Sequence, residues 1–541
     1  MVIFDPAALD SALATAARWA LAHAGAQGRL VSDSRQIRPG DIFVAFPGDH
    51  ADGRRFLPAA QAAGAAGAII ESRGAETPPA GLPFIAVPEL RRHSGELAAQ
   101  FYGHPNARMQ TLAITGTNGK TTSALWLAQA LARLGRRAAM VGTLGVGLVS
   151  ADSAEVQATG FTTPDAVQLQ TRLADLRAAG ADALAIEATS IGLEQHRLDG
   201  LRIDVAVFTN LTHDHLDYHG TFAAYEAAKH ALFRWPGLRA AVINLDDPAG
   251  ERFARVVRER ADAVAVKLLR TSCTDASAEL FAHGIVARPA GMGFTLRWQG
   301  ETHAVEIGVP GLYNIHNWLG CTGALLAAGY PVADVLAAMR AVTPAPGRMQ
   351  MQGGALDADG RGEPLVVVDY AHTPDALEQA LVALRPIAQV RGGRLVALFG
   401  CGGDRDRRKR PVMAAIGAES ADDAWLTSDN PRSEAPEAIL AEMAAGVPEG
   451  RRVRVEPDRA RAIADAVAML ADRDVLLVAG KGHERYQDIA GVKHPFYDPD
   501  HVAAALARRA GRGVVSAAAG AAAIGPTDAA GKAVEGGEAA C

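Results

Sequence analysis

One short segment restricts the possible folds of this chain more than any other, the run Gly-Thr-Asn-Gly-Lys-Thr-Thr at residues 116–122. A run typical of a strand, Thr111 to Thr115, precedes it. Apolar residues at helical spacing follow it: Leu125, Ala128, Leu131 and Leu134. A glycine-rich turn between a strand and a helix points backbone N–H groups and the positive end of the helix at an anion. The segment therefore predicts a phosphate-binding loop on a parallel sheet, with Lys120 at the phosphates and Thr121 on Mg²⁺.

The predicted phosphate loop departs from the strict pattern at one position, because that pattern has a glycine where this chain has Ile114. We interpret the segment as a shorter variant of the loop. The alternative is a glycine-rich turn with a solvated lysine, but the strand and helix on either side favour phosphate binding. The prediction covers Gly116, Thr117, Asn118, Gly119, Lys120, Thr121 and Thr122.

The length of the chain indicates several domains. Its 541 residues are too many for one hydrophobic core and suggest about three or four domains. Two breaks rich in proline and glycine divide it, at residues 103–106 and 343–347. Strand-like runs alternate with helical ones, which is typical of parallel sheets between layers of helices. Clear strand-like runs are Gly67 to Glu71, Ala240 to Asn244, Leu365 to Asp369 and Val475 to Ala479.

We predict an α/β protein of three domains. Residues 1–106 form a small N-terminal α/β domain. Residues 107–345 form a central domain with a P-loop-type parallel sheet and helices on both faces, and residues 346–510 form a Rossmann-like α/β domain. Residues 511–541 are mainly alanine, glycine and small polar residues. Such a segment buries too little apolar area to offset the entropy of ordering, so we predict a disordered tail.

Charge and cysteine content exclude several classes of function. The net charge of −6 gives no basic surface for nucleic acid or an anionic membrane, and no apolar run reaches the roughly 18 residues of a membrane span. The four cysteines form no Cys-x-x-Cys pair, so we expect neither a disulfide framework nor a zinc site. The N-terminus carries Asp5 and Asp10 but no basic segment, so we expect a cytoplasmic protein without a secretory signal.

Acidic residues and histidines collect at the predicted ends of two strands. Glu187 follows the run Ala183 to Ile186, at the strand end where open α/β sheets bind ligands. Three histidines and two aspartates lie within residues 213–219, just after the run Val205 to Phe208. Each alone would be a surface residue, but together they indicate contact with a metal or phosphate. Lys229 lies on a predicted helix, and the pattern alone gives it no role.

Six motifs, taken in order, resemble those of the Mur ligases. They are the phosphate loop, Asn-Leu-Thr-His-Asp-His-Leu-Asp at 210–217, Tyr-Glu-Ala-Ala-Lys at 225–229, Asp-Tyr-Ala-His-Thr-Pro at 369–374, Asp-Asn-Pro-Arg at 429–432 and Gly-Lys-Gly-His-Glu at 480–484. The resemblance runs from about Leu30 to about Tyr497. It implies an ATP-dependent carboxylate–amine ligase of peptidoglycan synthesis that works through an acyl phosphate. Within the family, it implies the branch that adds meso-diaminopimelate to UDP-N-acetylmuramoyl-L-alanyl-D-glutamate.

The resemblance also implies roles for individual residues. The catalytic set would be Lys120, Glu187, His215 and Lys229. Thr121 would bind one Mg²⁺, and Glu187, His215 and a carbamylated Lys229 would bind a second. ATP would also contact Asn314, Asn317, Arg348 and Asp369. The UDP-muramoyl peptide would contact Ser34, Arg35, Thr162, Thr163, Thr189, Gln195 and Arg197. The chain departs from the family pattern at Ile191, where relatives usually have a histidine, and this leaves the catalytic set intact.

The motif at 429–432 resembles the signature of the diaminopimelate-adding branch. The guanidinium of Arg432 suits the carboxylate at the far end of diaminopimelate, whereas bound lysine would leave that arginine unpaired. Without the family resemblance, a turn with a solvated arginine would be the preferred interpretation. The residues implied for diaminopimelate are Arg405, Asp429, Asn430, Pro431, Arg432, Gly480 and Glu484.

Two alternatives stay open at this point. The same ligase reaction could use L-lysine. A ligase like folylpolyglutamate synthetase would share the phosphate loop but lack the N-terminal uridine-binding domain and the Asp-Asn-Pro-Arg stretch. A degenerate nucleotide-binding or scaffolding module is disfavoured, because it would be expected to lose Lys120 or the metal set and this sequence keeps both. The expected partners are ATP, the UDP-muramoyl dipeptide and meso-diaminopimelate, with Mg²⁺ as cofactor. We expect a monomer that binds no nucleic acid and does not insert into a membrane.

Overall fold

The computed structural model describes residues 6–49, 51–74, 80–157 and 162–511. The tail predicted for residues 511–541 lies outside this part of the chain, except for its first residue. Sheets of four, eleven and six strands follow one another along the described chain, together with a two-stranded hairpin. Helices connect and cover the strands, so the predicted α/β class with three α/β units is confirmed.

The first unit is a four-stranded parallel sheet in the order β1-β2-β3-β4. Its strands are β1 (Leu30–Val31), β2 (Ile42–Ala45), β3 (Gly67–Glu71) and β4 (Phe84–Val87), and its helices are α1 (Pro6–His23), α2 (Leu57–Ala62) and α3 (Leu90–Phe101). Ile42 and Val44 pack into one apolar cluster, and Phe43 and Ala45 into another. Successive side chains of a strand point to opposite faces, so both faces of this sheet are buried.

The central unit contains an eleven-stranded sheet. Its strands are β5 (Gln110–Thr115), β6 (Ala138–Gly142), β7 (Gly145–Val149), β8 (Ala154–Gln157), β9 (Ala183–Glu187), β10 (Val205–Phe208), β11 (Ala240–Asn244), β12 (Lys267–Ser272), β13 (Leu280–Arg288), β14 (Gly291–Trp298) and β15 (Glu301–Ile307). Its helices are α4 (Lys120–Arg133), α5 (Ala166–Ala178), α6 (Ser190–Glu194), α7 (Leu216–His219), α8 (Phe222–Phe233), α9 (Gly250–Arg258), α10 (Leu312–Ala327) and α11 (Val332–Arg340).

Seven neighbouring strands of this sheet run parallel, in the order β13-β12-β11-β10-β5-β9-β6, as the sequence predicts for the centre. Both edges differ from the prediction, because β14 and β15 extend one edge and β7 and β8 the other as antiparallel strands. A tight turn explains one of these hairpins. Gln299 and Gly300 both have positive φ, the conformation of a two-residue turn that reverses the chain between antiparallel strands.

The order of the central strands sets the position of the polar residues. β5 lies between β10 and β9, with Thr115 paired to Phe208 and Ile114 paired to Glu187. The carboxyl ends of these three strands therefore meet at one edge of the sheet, which is where ligands bind in open α/β sheets.

The third unit is a six-stranded sheet in the order β16-β17-β21-β18-β19-β20. Its strands are β16 (Gln350–Gly353), β17 (Leu365–Asp369), β18 (Leu395–Phe399), β19 (Asp423–Leu426), β20 (Arg454–Val455) and β21 (Val475–Ala479), and the separate hairpin is β22 (Tyr486–Ile489) with β23 (Val492–Pro495). The helices are α12 (Pro374–Arg391), α13 (Lys409–Ser420), α14 (Pro436–Ala444), α15 (Arg459–Met469) and α16 (Asp498–Arg509). All neighbours in this sheet are parallel except β16 and β17.

The break predicted at residues 343–347 connects the central and third units, and it is attached to α4. The indole N–H of Trp126 donates to the carbonyl of Thr343 at 2.9 Å. The Gln129 side-chain amide donates to the Thr343 hydroxyl at 2.8 Å and accepts from its backbone N–H at 3.0 Å. Since α4 begins at Lys120, one helix connects the phosphate loop to the start of the third unit.

Candidate active site

In the loop between β5 and α4, the lysine side chain is hydrogen-bonded to carbonyl groups of the loop itself. The Lys120 ammonium donates to the carbonyls of Gly116 at 2.9 Å and Thr117 at 2.8 Å. Gly119 has φ +86°, and a Cβ there would lie 2.3 Å from Asn317 Oδ1. A side chain at this position would have a strained backbone conformation and would displace the Asn317 amide. The strand–loop–helix context predicted for residues 116–122 is present.

The Glu187 carboxylate is fully buried at the end of β9. It accepts a hydrogen bond from the Thr121 hydroxyl at 3.1 Å and another from the Thr143 backbone N–H at 2.7 Å. Burial raises the pKa of Glu187, while the charge of Lys120 and these two hydrogen bonds act in the opposite direction. Two of the predicted metal ligands, Thr121 and Glu187, are thus in direct contact.

Lys229 is buried on α8, with only 1% of the residue exposed. Its ammonium donates to the Gly116 carbonyl at 2.9 Å and lies 4.5 Å from the centre of the Tyr225 ring. Burial lowers the pKa of Lys229 well below its usual value, and the charge of Lys120 acts in the same direction. The predicted metal site therefore includes a buried amine beside the phosphate loop.

His215 lies at the start of α7 with positive φ and a side chain that is 42% exposed. Its ring centre is 6.3 Å from that of Tyr225, so Lys229 and His215 are neighbours of the same tyrosine. Within the described chain, no hydrogen bond or ion pair joins His215 to Glu187 or Lys229. The structure brings this predicted set to one region without closing it into a single cluster.

A cavity of about 460 Å³ lies between the phosphate loop and the third unit. Its lining includes these residues predicted for ATP: Asn118, Gly119, Thr122, Asn314, Asn317, Arg348 and Asp369. Asp369 accepts from the backbone N–H groups of Met349 and Ala371, both at 2.8 Å. Burial raises the pKa of Asp369, and the Arg348 charge opposes this. Residues from both sides of the 343–347 break thus line one nucleotide-sized cavity.

A second cavity, of about 880 Å³, lies in the third unit. Its lining includes six of the seven residues predicted for diaminopimelate: Arg405, Asp429, Asn430, Arg432, Gly480 and Glu484. Pro431, the seventh, is not among its lining residues. Arginines and carboxylates thus line the same cavity, which suits a ligand that carries both an ammonium and a carboxylate. Thr373 lines both cavities, so they adjoin.

Backbone contacts hold Arg432 in place. It has φ +51°, its N–H donates to the Asp488 carbonyl at 2.9 Å, and its carbonyl accepts from Ala490 N–H at 2.7 Å. Its guanidinium donates to the Gly403 carbonyl at 2.6 Å. The hairpin β22–β23 therefore fixes the loop that carries Arg432.

The residues predicted for the muramoyl peptide form one hydrogen-bonded group. Thr163 lies 3.0 Å from Thr189, oxygen to oxygen, and donates to the Glu187 carbonyl at 3.0 Å. Arg197 donates to the Thr163 carbonyl at 2.8 Å and to Gln195 Oε1 at 2.9 Å. Thr189 also caps α6 by accepting from Gly192 N–H at 3.0 Å. Thr162 lies 3.0 Å from the Thr143 hydroxyl, so the group reaches the neighbourhood of Glu187.

Ser34 and Arg35 lie in a short 3₁₀ turn of the first unit. The Arg35 side chain is 86% exposed and pairs with Asp33 at 2.9 Å. A small depression of about 40 Å³ is lined by Ser32, Asp33 and Gln36 among others, but not by Ser34 or Arg35. Nothing in the described chain brings these two residues into contact with the central site.

Sequence reasoning missed several residues of the site. Tyr225, whose hydroxyl lies 2.8 Å from that of Thr117, occurs four residues before Lys229, the spacing at which side chains of one helix meet. Thr143 gave no local signal, and the fully buried Lys481 lies in the motif at 480–484 without a role assigned to it. Ile191 stands where relatives usually have a histidine, but a different histidine lies close by. His219 Nε2 is 3.0 Å from the hydroxyl of Ser190, the residue before Ile191.

Three family models match successive parts of the chain. They are "Mur ligase family, catalytic domain" over residues 29–102, "Mur ligase middle domain" over 114–325 and "Mur ligase, glutamate ligase domain" over 347–482. A UDP-N-acetylmuramoyl-L-alanyl-D-glutamate--2,6-diaminopimelate ligase from Acidovorax sp. (strain JS42) is 48% identical over 493 residues, which cover 90% of this chain and 95% of the relative. A ligase of the same name from Pseudomonas aeruginosa is 47% identical over 479 residues, covering 88% and 94%.

Solved structures give the same relationship. A structure of a ligase of that name matches with a TM-score of 0.68 and 37% identity, covering 89% of this chain and 95% of that chain. A Mycobacterium tuberculosis folylpolyglutamate synthase, solved with ADP and AMPPCP, matches with a TM-score of 0.54 and 20% identity over 72% of this chain. At that identity the second likeness shows a shared fold alone.

The fold and the two adjoining cavities define a nucleotide-using α/β ligase. The chain belongs to the Mur ligase family. It is an ATP-dependent ligase that forms a carbon–nitrogen bond. No helix in the described residues has both the length and the apolar character that a membrane span requires.

Proposed function

We propose that the protein ligates meso-diaminopimelate to UDP-N-acetylmuramoyl-L-alanyl-D-glutamate in peptidoglycan synthesis. The observation that carries the proposal is the larger cavity, where Arg405 and Arg432 lie with Asp429 and Glu484 beside the nucleotide cavity. An amino acid with an ammonium and a carboxylate at its far end matches such a lining. The relatives at 47–48% identity carry the name of this activity.

The reaction needs an activated carboxylate. The substrate carboxylate attacks the γ-phosphorus of ATP and releases ADP, which gives an acyl phosphate. The amine then attacks the carbonyl carbon, loses a proton and expels inorganic phosphate, which leaves an amide. Positioning and positive charge supply most of the stabilisation in phosphoryl transfer. Lys120 is the cation assigned to this task, with Arg348 at the ATP phosphates and Asn314, Asn317 and Asp369 at the rest of the nucleotide.

The residues present fit Mg²⁺. Glu187 and Thr121 offer adjacent oxygens, which are the ligands that Mg²⁺ prefers. The ammonium of Lys229 has no lone pair for a cation, and Mg²⁺ prefers oxygen to a neutral amine nitrogen, but a carbamate on Nζ would present anionic oxygens beside the phosphate loop. We assign Thr121 to one ion and Glu187, His215 and carbamylated Lys229 to a second. When bound, Mg²⁺ supplies positive charge at the transferred phosphoryl group.

The remaining residues are assigned to the UDP-muramoyl substrate. Ser34 and Arg35 are assigned to the UDP end of the substrate, and Thr162, Thr163, Thr189, Gln195 and Arg197 to its muramoyl peptide. The domain limits at 1–106, 107–345 and 346–510 stay predictions, with the three units in the order UDP, ATP and amino acid. We further propose a monomer in the cytoplasm that uses only small-molecule substrates.

The test of the function is ATP-dependent phosphate release with the UDP-muramoyl dipeptide. We expect release with meso-diaminopimelate and a kcat/KM for L-lysine lower by roughly 10²-fold or more, because lysine has no distal carboxylate to pair with the arginines of the cavity. Comparable use of L-lysine would refute the proposed specificity for meso-diaminopimelate but not the proposed ligase reaction. Activity with a folate substrate in place of the UDP-muramoyl dipeptide would favour the folylpolyglutamate alternative.

The carbamate assignment gives a separate prediction. Lys229→Ala should lose most activity, and a short carboxylate such as formate added in solution should restore part of it, because its oxygens replace those of the carbamate. The control is Lys267→Ala, since Lys267 is an exposed lysine of the same unit and its loss should give neither effect. A mass measurement on the native protein that finds Lys229 unmodified at saturating bicarbonate would contradict the assignment.

A further inference from the structure

Lys481 is a fully buried cation that neither the predicted site nor the reaction accounts for. No part of its side chain is exposed. Its ammonium donates to Asn430 Oδ1 at 2.9 Å and to Glu484 Oε2 at 3.1 Å. Removing an ammonium from water is costly unless it is paired and hydrogen-bonded. Both of its partners line the cavity assigned to the amino acid.

The orientation of the Asn430 amide follows from its neighbours. Its oxygen accepts from Lys481 and from the backbone N–H of Asp488 at 3.0 Å. Two donors on one side require that the oxygen face them. The amide nitrogen then faces Glu484 and donates to Oε2 at 2.8 Å. Lys481 thus acts on Glu484 twice, directly and through Asn430.

The two oxygens of the Glu484 carboxylate differ in their hydrogen bonds, because both donors bond to the same one. Oε2 accepts from both Lys481 and Asn430. In the part of the chain that the structure describes, no protein group donates to Oε1. A carboxylate held through one oxygen is fixed in direction, and its other oxygen keeps its capacity to accept from a ligand.

We propose that Lys481 is a positioning residue for amino-acid specificity: it occupies Oε2 of Glu484, together with Asn430, so that Oε1 receives the distal ammonium of the incoming amino acid. The inference rests on the proposed function, because it takes that cavity as the amino-acid site. It assigns no contact between Lys481 and substrate. The Glu484 carboxylate then has a fixed direction, and arginines line the same cavity. A ligand can place its ammonium at Oε1 only if its carboxylate reaches those arginines at the same time.

The main test is Lys481→Met, which keeps the length of the side chain and removes its charge and donors. We expect the KM for meso-diaminopimelate to rise about tenfold or more, as for a lost hydrogen bond to a charged group. The KM values for ATP and the UDP-muramoyl dipeptide should change by less than about threefold, since those ligands contact other residues. Equal rises in all three KM values would overturn the proposal and indicate a structural role.

A double-mutant cycle separates positioning from general damage. If Lys481 acts through Glu484, then Lys481→Met with Glu484→Gln should be little worse than Glu484→Gln alone, because the two changes remove one interaction. Additive losses would contradict the proposal. Arg391→Met is the matched control, because Arg391 is also a buried cation of this unit but donates only to backbone carbonyls outside the cavity. In Arg391→Met the KM values for ATP, the UDP-muramoyl dipeptide and meso-diaminopimelate should all change by the same factor.

Two further measurements separate a failure of this inference from a folding defect and from a failure of the proposed function. If Lys481→Met does not fold, Asn430→Ala removes the other donor to Oε2 and should show the same selective rise and the same lack of additivity with Glu484→Gln. Wild-type activity with meso-diaminopimelate is measured first. Its absence would refute the proposed function, whereas its presence with an unchanged KM in the Lys481 variant would refute this inference alone.

Discussion

Lys120→Ala should abolish ligation while the protein remains folded. In the structure the Lys120 ammonium is held by two carbonyls of the phosphate loop, and the phosphates of ATP offer it stronger, anionic acceptors. One oriented cation at a developing phosphate charge contributes on the order of 10²–10³ in rate or more. The measurement is kcat for phosphate release at saturating substrates, together with the melting temperature.

The exposed Lys267 provides the control for this change. Lys267→Ala removes a lysine from the same unit without touching the phosphate loop, and it should leave kcat within about twofold, as is usual for exposed positions. Near wild-type turnover in Lys120→Ala would refute the assignment of the ATP site. A melting temperature well below that of the control would instead mean that the loop carbonyls need the ammonium for folding.

Arg432→Ala should mainly weaken the binding of diaminopimelate. Loss of one partner of a charge-assisted pair in a closed site costs about 2–5 kcal/mol when the other charge stays buried, which corresponds to a KM rise of roughly 30-fold or more. The KM values for ATP and the UDP substrate should change little. L-Lysine should remain a poor substrate, because removal of the arginine creates no site shaped for a shorter cation.

The bond from Arg432 to the Gly403 carbonyl makes a second variant necessary. Arg432→Lys keeps a charge but loses the planar fork, so it should recover only part of the affinity. Arg451→Ala, at an exposed arginine of the same unit, should change none of the three KM values. If Arg432→Ala raises all of them alike, the arginine serves the loop and does not select the amino acid.

Features that depend on neighbouring residues were predictable from the sequence. The strands Gly67–Glu71, Ala240–Asn244, Leu365–Asp369 and Val475–Ala479 have the predicted limits, because each is a short, almost wholly apolar run. The phosphate loop was predictable for the same reason, since its strand, glycines and helix are contiguous. The family, the ligase class and the α/β fold are confirmed, whereas the individual site residues and domain limits stay predictions.

Features that depend on distant parts of the chain were not predictable from local patterns. Thr121 and Glu187 are 66 residues apart and meet only because β9 pairs with β5. The antiparallel edges of the central sheet depend on hairpin turns such as Gln299-Gly300, whose backbone conformation the residue types do not fix alone. Lys481 lies in the motif at 480–484, but only the packed structure reveals that its ammonium is enclosed.

The attachment of Thr343 to α4 has a mechanical consequence. Lys120 and Trp126 are six residues apart on one helix, which is about 9 Å along its axis at 1.5 Å per residue. A rotation of the third unit that keeps the hydrogen bonds between α4 and Thr343 would pivot after Thr343, beside the helix that begins at the phosphate loop. Arg348 follows Thr343 by five residues, and Asp369 accepts from the backbone N–H of Met349 at 2.8 Å. Both side chains therefore lie near that pivot, and such a rotation would move them less than it moves the far end of the unit.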